Sequence, residues 1–387
     1  MAPGIKLQWC FRQAYFPVGF ARRPTDPRPD HAHNHRREIR LMFVRVISGV
    51  AAAILSLTPM QAAPAGKGPS GKGKTPVFTG PKNGIKTPGV QIPFANLKAD
   101  VSLPAANKPV WLFFASGGPG TIYYPDADKV GKIETRGNKQ SDGIAGLKKP
   151  CGGMVSAFES LWVPTCGDGA LQRVDPKTMK ITATIPAGSG AEPGNIAASG
   201  DSIWMLTDNK ATLSRIDPDQ NSVVGELRLP PGCEDLIYAD SALWIACPAM
   251  NRILKINAET NIVDKRIEVS AGPMALVSAQ NSIWVLCGKE GKIDRIDPKT
   301  DKVTKTIELL ASVTQGGMAY GDNYLWVTMS GFPLTRIDVT TESVAQQFWG
   351  EGGGAITTSS GAIWLSNLND RTISRIDPKL VLATLAE

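Results

Sequence analysis

Oxygen-bearing side chains are the ones in this sequence whose placing could do chemistry. Glu192 and Asn195, Glu234 and Asp235, Gln315, and Glu351 each stand just ahead of a short apolar stretch. Asp208 with Lys210, and Asn369 with Arg371, follow other such stretches. Gathered round one axis, such groups suit a divalent cation such as Mg²⁺ or Ca²⁺, held through hard oxygen ligands. They equally suit a cationic or polyhydroxyl ligand. Imidazole chemistry is missing: the histidines are His31, His33 and His35, and no other occurs in the chain. No Ser-His-Asp set, phosphate loop or Gly-x-Gly-x-x-Gly after a strand occurs either.

The elements that must position these groups are read from a repeat. In residues 281–310, Ile283–Leu286 is apolar and β-prone, and Lys292–Ile296 alternates polar and apolar. Asp297-Pro298-Lys299-Thr300 is a turn in which Asp bonds its own backbone and Pro fixes φ. The tryptophan of the first strand recurs at 162, 204, 244, 284, 326 and 364, in steps of 42, 40, 40, 42 and 38 residues. The turn keeps step with it, at Asp175, Asp217, Asn257, Asp297, Asp338 and Asp377. With one more short strand ahead of each Trp, every repeat supplies four strands in about 40 residues, the size of a propeller blade. A seventh, drifted copy is read upstream: Val110–Ala115 as first strand, Tyr123 in the Trp position, and Lys132-Ile133-Glu134 in place of Arg-Ile-Asp. The fold class is therefore all-β, a seven-bladed β-propeller of four-stranded antiparallel blades. Either Lys98–Leu103 or the tail Val381–Leu385 supplies the strand that closes the ring and removes its open edge.

Residues that recur in every blade are read as building material. The tryptophans are expected to pack between blades, and six copies of Arg-Ile-Asp make turns rather than six catalytic sites. Asp217-Pro-Asp219-Gln-Asn221 lacks the turn Gly and closing Glu of a calcium loop. Function is expected where copies differ, in the entrance to each first strand and the loop after each Trp strand, which meet on one face round the channel. That puts Glu192, Asn195, Asp208, Lys210, Glu234, Asp235, Gln315, Glu351, Asn369 and Arg371 at the channel mouth as ligand-binding candidates. The bland alternative is that exposed loops are simply polar. Glu234 and Asp235 are both expected to be exposed, so that replacing them leaves stability unchanged.

Cys151 and Cys166 flank one predicted hairpin and are expected to bridge. Cys233 and Cys247 flank the equivalent hairpin two blades on, but strand alternation sets Cys247 and Cys166 on opposite faces, and their pairing stays open. Cys287 is expected to be a small buried side chain. Without any Cys-x-x-Cys, thiolate zinc is excluded.

Upstream of the repeats the chain changes character. Residues 1–41 are Arg- and Pro-rich and read as a disordered upstream extension. Residues 42–62 carry Arg45, an apolar run over Val46–Leu57 and a small-residue zone ending at Ala62, the form of a signal peptide too short to span a bilayer. Residues 63–90, rich in Gly, Pro and Lys, read as a disordered tether, leaving 91–387 as the propeller. The charge of +7 sits in these leading parts: nine bases and three acids precede residue 63, and five lysines without an acid lie in 63–90. The propeller stretch itself is therefore net acidic, which excludes a nucleic-acid reader. The protein is expected in the periplasm or outside the cell, as a monomer, with no transmembrane segment.

With the Ser/Ala-Ile/Leu-Trp strands and Arg-Ile-Asp-Pro-Lys-Thr turns laid out, residues 95–387 resemble the YVTN-type propellers, and among them the virginiamycin B (streptogramin) lyase family. The resemblance implies a seven-bladed ring. It also implies a lyase with a catalytic His on the channel face, helped by a Glu and a bound Mg²⁺, with Pro-His-Gly blade entrances. Here the entrances read Glu192-Pro193-Gly194-Asn195, Gly272-Pro273-Met274-Ala275 and Gln315-Gly316-Gly317-Met318, without histidine. The expectation is thus an exported, non-catalytic propeller that binds a small ligand or partner protein at its mouth. The alternative is a metal-dependent lyase or hydrolase working through carboxylates and Mg²⁺ or Ca²⁺.

Overall fold

The computed structural model describes residues 83–85, 90–116, 120–188, 195–359 and 361–384. The extension 1–41, the leader 42–62, most of the tether and Glu192 lie outside the described residues. Seven antiparallel sheets succeed one another along the chain. Blade 1 runs from Phe113 to Ile144, blade 2 from Val155 to Pro186, blade 3 from Ile196 to Arg228 and blade 4 from Asp235 to Glu268. Blade 5 runs from Pro273 to Glu308, blade 6 from Gly316 to Trp349, and blade 7 starts at Ile356. First strands of successive blades from 2 to 7 pack side by side, and that of blade 7 packs on that of blade 1. Tyr123, Met154 and Leu161 share one core cluster, which joins blade 1 to blade 2. The ring is a seven-bladed propeller.

The repeated residues do the same jobs in successive blades. All six repeat tryptophans are at most 1% exposed. Each indole N–H donates to the end of the preceding strand, as Trp162 does to Ala157 O (3.0 Å) and Trp204 to Ser199 Oγ (3.0 Å). Burying one such ring, at about 200 Å² and 25 cal/mol per Å², contributes on the order of 5 kcal/mol. Tyr123 occupies the place in blade 1 and is 3% exposed. The turn carboxylates make the Asx turns the sequence predicts, Asp217 Oδ1 accepting from Asp219 N (2.7 Å) and Gln220 N (3.0 Å). Asp217 therefore holds a turn.

The basic residue of the third strand joins neighbouring blades. Arg173 lies 5.0 Å from the centre of the Trp162 ring and donates to Pro218 O (2.6 Å) and Asn221 Oδ1 (3.0 Å) in the next blade. Lys255 does the same over Trp244, reaching Pro298 O (2.8 Å) and Asp301 (2.7 Å). Where the base is Arg173, Arg215 or Arg295, its Nε also donates to Ser160, Ser202 or Ser282, two residues ahead of the Trp. Blade 4, with Lys255, has Ala242 at that position. Arg173, Arg215 and Arg295 therefore each tie a ring, their own blade and the turn of the next, whereas Arg336 stays within blade 6, over Tyr324 and donating to Gln346.

The N-terminal strand closes the ring. Val101–Pro104 pairs with Thr372–Ile376 as the outer strand of blade 7, Val101 opposite Arg375. The competing tail instead folds into a short helix, Pro378–Ala383, capped by Asp377, whose carboxylate accepts from Lys379 N (2.8 Å). Val381 of this helix is fully buried against Trp326 and Phe348. The tail cannot serve as an edge strand because the last Asp-Pro-Lys, with no fourth strand after it, starts a helix rather than a turn. Gln91–Pro93 adds a fifth, parallel strand to blade 6. Residues 83–85, assigned to the disordered tether by composition, are docked: Gly84 N donates to Leu310 O (2.7 Å) and Ile85 N to Gln347 Oε1 (2.8 Å).

Both cysteine pairs are bridged, Cys151 to Cys166 and Cys233 to Cys247. The alternation argument against the second pair fails because Cys166 lies one residue past its strand, Ser160–Thr165, where alternation no longer holds, whereas Cys247 ends its own, Ala242–Cys247. Cys287 is buried, and burial together with the nearby Asp294 pushes its thiol far above the usual range.

Candidate ligand site at the channel mouth

A cavity of about 560 Å³ opens where blade entrances and post-Trp loops meet. A second hollow of about 740 Å³ shares Glu234, Met274, Thr314 and Ser330 with it, so the two form one basin. The wall is built from equivalent positions. Nine residues before the repeat Trp stand Gly153, Asn195, Asp235, Ala275, Gly317 and Ala355. In blade 1, Phe113 pairs with Tyr123 as Val277 pairs with Trp284, which puts Trp111 at the same level as Ala275. All of this ring except Gly153 lines the cavity. The post-Trp loops add Lys210, Ser330, Leu368 and Asn369, and the floor includes Met274, Met318, Met329 and Ile356.

Among the sequence candidates, the structure brings Asn195, Lys210, Glu234, Asp235, Gln315 and Asn369 to this cavity. Asp208 is exposed and ion-paired with Arg228. Glu351 is exposed and off the lining, and Arg371 is exposed with its guanidinium on Ala106 O (3.4 Å). Asp208, Asn209 and Lys210 all have positive φ (49°, 52° and 63°), a left-handed run that carries Lys210 to the wall. Sequence reading missed Trp111, Ala275, Gly317 and Ala355. For Ala275, Gly317 and Ala355 the signal was a constant distance from the repeat aromatic, masked by side chains that differ from copy to copy.

Asp235 departs from expectation. Glu234 is exposed as predicted, but Asp235 is half-buried and accepts three hydrogen bonds from three blades. Leu236 N (2.9 Å) reaches Oδ1 within blade 4, Leu276 N (2.6 Å) reaches Oδ2 from blade 5, and the Asn195 amide donates to Oδ1 from blade 3. The reason is register. At the inner edge of blades 3, 4 and 5 the residue after this ring position turns its N–H toward the channel, and a carboxylate there is the nearest acceptor. Burial pushes the Asp235 carboxyl above the usual range, opposed by the donors from Leu276, Leu236 and Asn195.

Among the described residues no three His, Cys, Asp or Glu side chains gather as a metal would require. Asp235, with N–H donors on both oxygens, is set up for donors and not for a cation. The residues present therefore do not fit the Mg²⁺ centre that the resemblance implies. No helix of the described residues is long and apolar enough to cross a membrane.

No family model and no curated protein matches the chain. Among solved structures the fold is similar to that of a streptogramin B lyase, with a TM-score of 0.61 and 16% identity over 72% of this chain and 96% of that one. Virginiamycin B lyase from Staphylococcus aureus is similar too, with a TM-score of 0.59 and 16% identity over 72% of this chain and 98% of that one. The likeness is one of fold: the chain is a seven-bladed propeller similar in fold to virginiamycin B lyase.

Proposed function

We propose that this protein is an exported propeller that binds a small amphipathic molecule at the channel mouth, without chemistry of its own. One observation carries the reading: the ring position lining the cavity varies between blades while the packing positions behind it repeat. Thioether side chains on the floor and the Trp111 indole on the wall, with Asn195, Lys210, Glu234, Gln315 and Asn369 around them, suit an apolar body carrying polar groups. Methionine adapts its shape to such bodies. The form of residues 42–62 and the two disulfides support export to an oxidising compartment. A protein partner docking at the mouth is the alternative occupant.

The test is a melt of the purified protein against amphipathic small molecules, streptogramin B among them. A saturable rise in Tm that Met318→Glu abolishes supports the reading. No rise with any member, alongside capture of a folded partner protein at the mouth, would replace it.

A carboxylate-and-metal lyase is the second reading, favoured by Glu234 on the wall and by the names of the similar structures. It predicts a Tm rise with Mg²⁺ or Ca²⁺ lost in Glu234→Ala, and mass-detected opening of streptogramin B. Absence of both sets it aside.

A further inference from the structure

Asp235 shows what the inner edge of this ring binds. Its two carboxylate oxygens sit on the backbone N–H groups of Leu236 and Leu276, one from each of two neighbouring blades. Both N–H groups belong to the residue eight before the repeat Trp, paired with the residue after that Trp. In blade 3 the equivalent Ile196 N donates to Asn195 Oδ1 (2.9 Å). In each case the N–H points off the inner edge, not into the sheet, as antiparallel pairing requires at the wide position.

Blades 6 and 7 share that register. Met318 pairs with Val327 and Ile356 with Leu365, each the residue after its Trp. In blade 7 the neighbouring pair carries the ladder bond, Ser366 N donating to Ala355 O (2.9 Å). In blade 6 Ser330 N donates to Gln315 O three pairs before Met318 and Val327, and unbroken alternation over that odd number of steps leaves Met318 at a wide position too. The N–H groups of Met318 and Ile356 therefore face the channel as those of Leu236 and Leu276 do. Where blade 4 has Asp235, blade 6 has Gly317. No side chain among the described residues is bonded to either N–H. Gly317, Met318, Ala355 and Ile356 all line the cavity. A Cβ on Gly317 would meet only Thr328 Cγ2 at 3.7 Å, Ile356 Cγ2 at 3.8 Å and Gly354 O at 4.0 Å, so space is open where the Asp235 side chain stands in blade 4.

We propose that the N–H pair of Met318 and Ile356 is the anchor for a ligand carboxylate, held as Asp235 is held between blades 4 and 5. Backbone N–H groups at a sheet edge form an anion cradle, and two donors on one carboxylate are charge-assisted bonds. The inference rests on the mouth cavity as a ligand site and adds the ligand's class, a monocarboxylate with an apolar body lying toward Met329 and Trp111.

The test uses the full chain, ¹⁵N-labelled only at Met and Ile, titrated with 4-phenylbutyrate and separately with 4-phenylbutyramide. The expected result is a shift of the Met318 and Ile356 amide signals with the acid, at an affinity about tenfold or more above that for the amide. In Gly317→Asp both signals should be displaced before any ligand is added, and should no longer respond. Gly317→Asn, of the same size, should take the Met318 N–H as Asn195 takes that of Ile196, leaving the Ile356 signal to respond weakly, and guards against a variant that fails to fold. Equal binding of acid and amide at the mouth would overturn the carboxylate anchor and leave the ligand-binding reading standing. Absence of any shift at the mouth with either compound would remove both.

Discussion

The carboxylate of Asp235 accepts from Leu276 N, 2.6 Å away across the boundary between blades 4 and 5. A residue at the cavity wall thus holds the wall's shape, and removing it does more than change surface charge. Asp235→Ala leaves the donors of Leu236, Leu276 and Asn195 without their acceptor and should cost about 2–3 kcal/mol. Exposed Glu234→Ala should stay within about 0.5 kcal/mol of wild type. Urea unfolding of the two variants side by side measures the difference, and equal midpoints would show that the three bonds are not made.

Arg173→Ala should destabilise by about 1–2 kcal/mol, because it removes a cation from the Trp162 face and two bonds into blade 3. Arg173→Lys should recover part of the loss, as Lys255 already performs the role in blade 4. Equilibrium unfolding of the three proteins checks the order.

The two disulfides close loops with separations of 15 and 14 residues, and each should contribute about 3 kcal/mol. A melt with and without a phosphine reductant should show a drop of several degrees, and the paired change Cys233→Ala with Cys247→Ala should show part of it. An unchanged Tm on complete reduction would count against both.

The turn aspartates set an acid dependence with a definite sign. Asp217 accepts from the backbone N–H groups of Gln220 and Asp219, which holds its carboxyl below the ordinary value of 3.8. Its contribution is present above that unfolded value and is lost as pH falls through the folded one. Asp235 has the opposite sign, since its folded value is raised: ionisation costs stability as pH rises through the folded value, and the cost vanishes below the unfolded one. The Tm gap between wild type and Asp217→Ala should therefore shrink between about pH 5 and pH 3, measured by melts at constant ionic strength. A gap that widens on acidification would contradict this assignment.

The blades were legible because the chain spends one residue type on one job repeatedly: Trp204 and Trp284 are buried alike, and Asp217 and Asp297 cap alike. The wall was harder to read because its positions share a level and not a chemistry. Trp111, Ala275 and Gly317 occupy one ring yet have nothing in common as side chains. The longer first hairpin of blade 1 also shifts Trp111 out of the spacing seen elsewhere. Asp235 looked like a loop acid because a backbone N–H turned toward a channel leaves no mark in sequence. Ring closure was undecidable for a similar reason: the 101–104 stretch and the tail were both apolar enough, and the Asp-Pro that makes a turn before a fourth strand in blades 2, 3 and 5 starts a helix after Asp377.

The pairing of Val101–Pro104 with the last strand of blade 7 has a temporal consequence. Ser102 meets Ser374 across 272 residues of chain, so a strand made before all of blade 1 waits for nearly everything else before it has a partner. Closing so long a loop is entropically costly and slow. The final blade is thus the last to reach its native free energy and the natural site for opening to begin, and any factor that delays synthesis of the C-terminal portion prolongs the life of an incomplete, sticky ring.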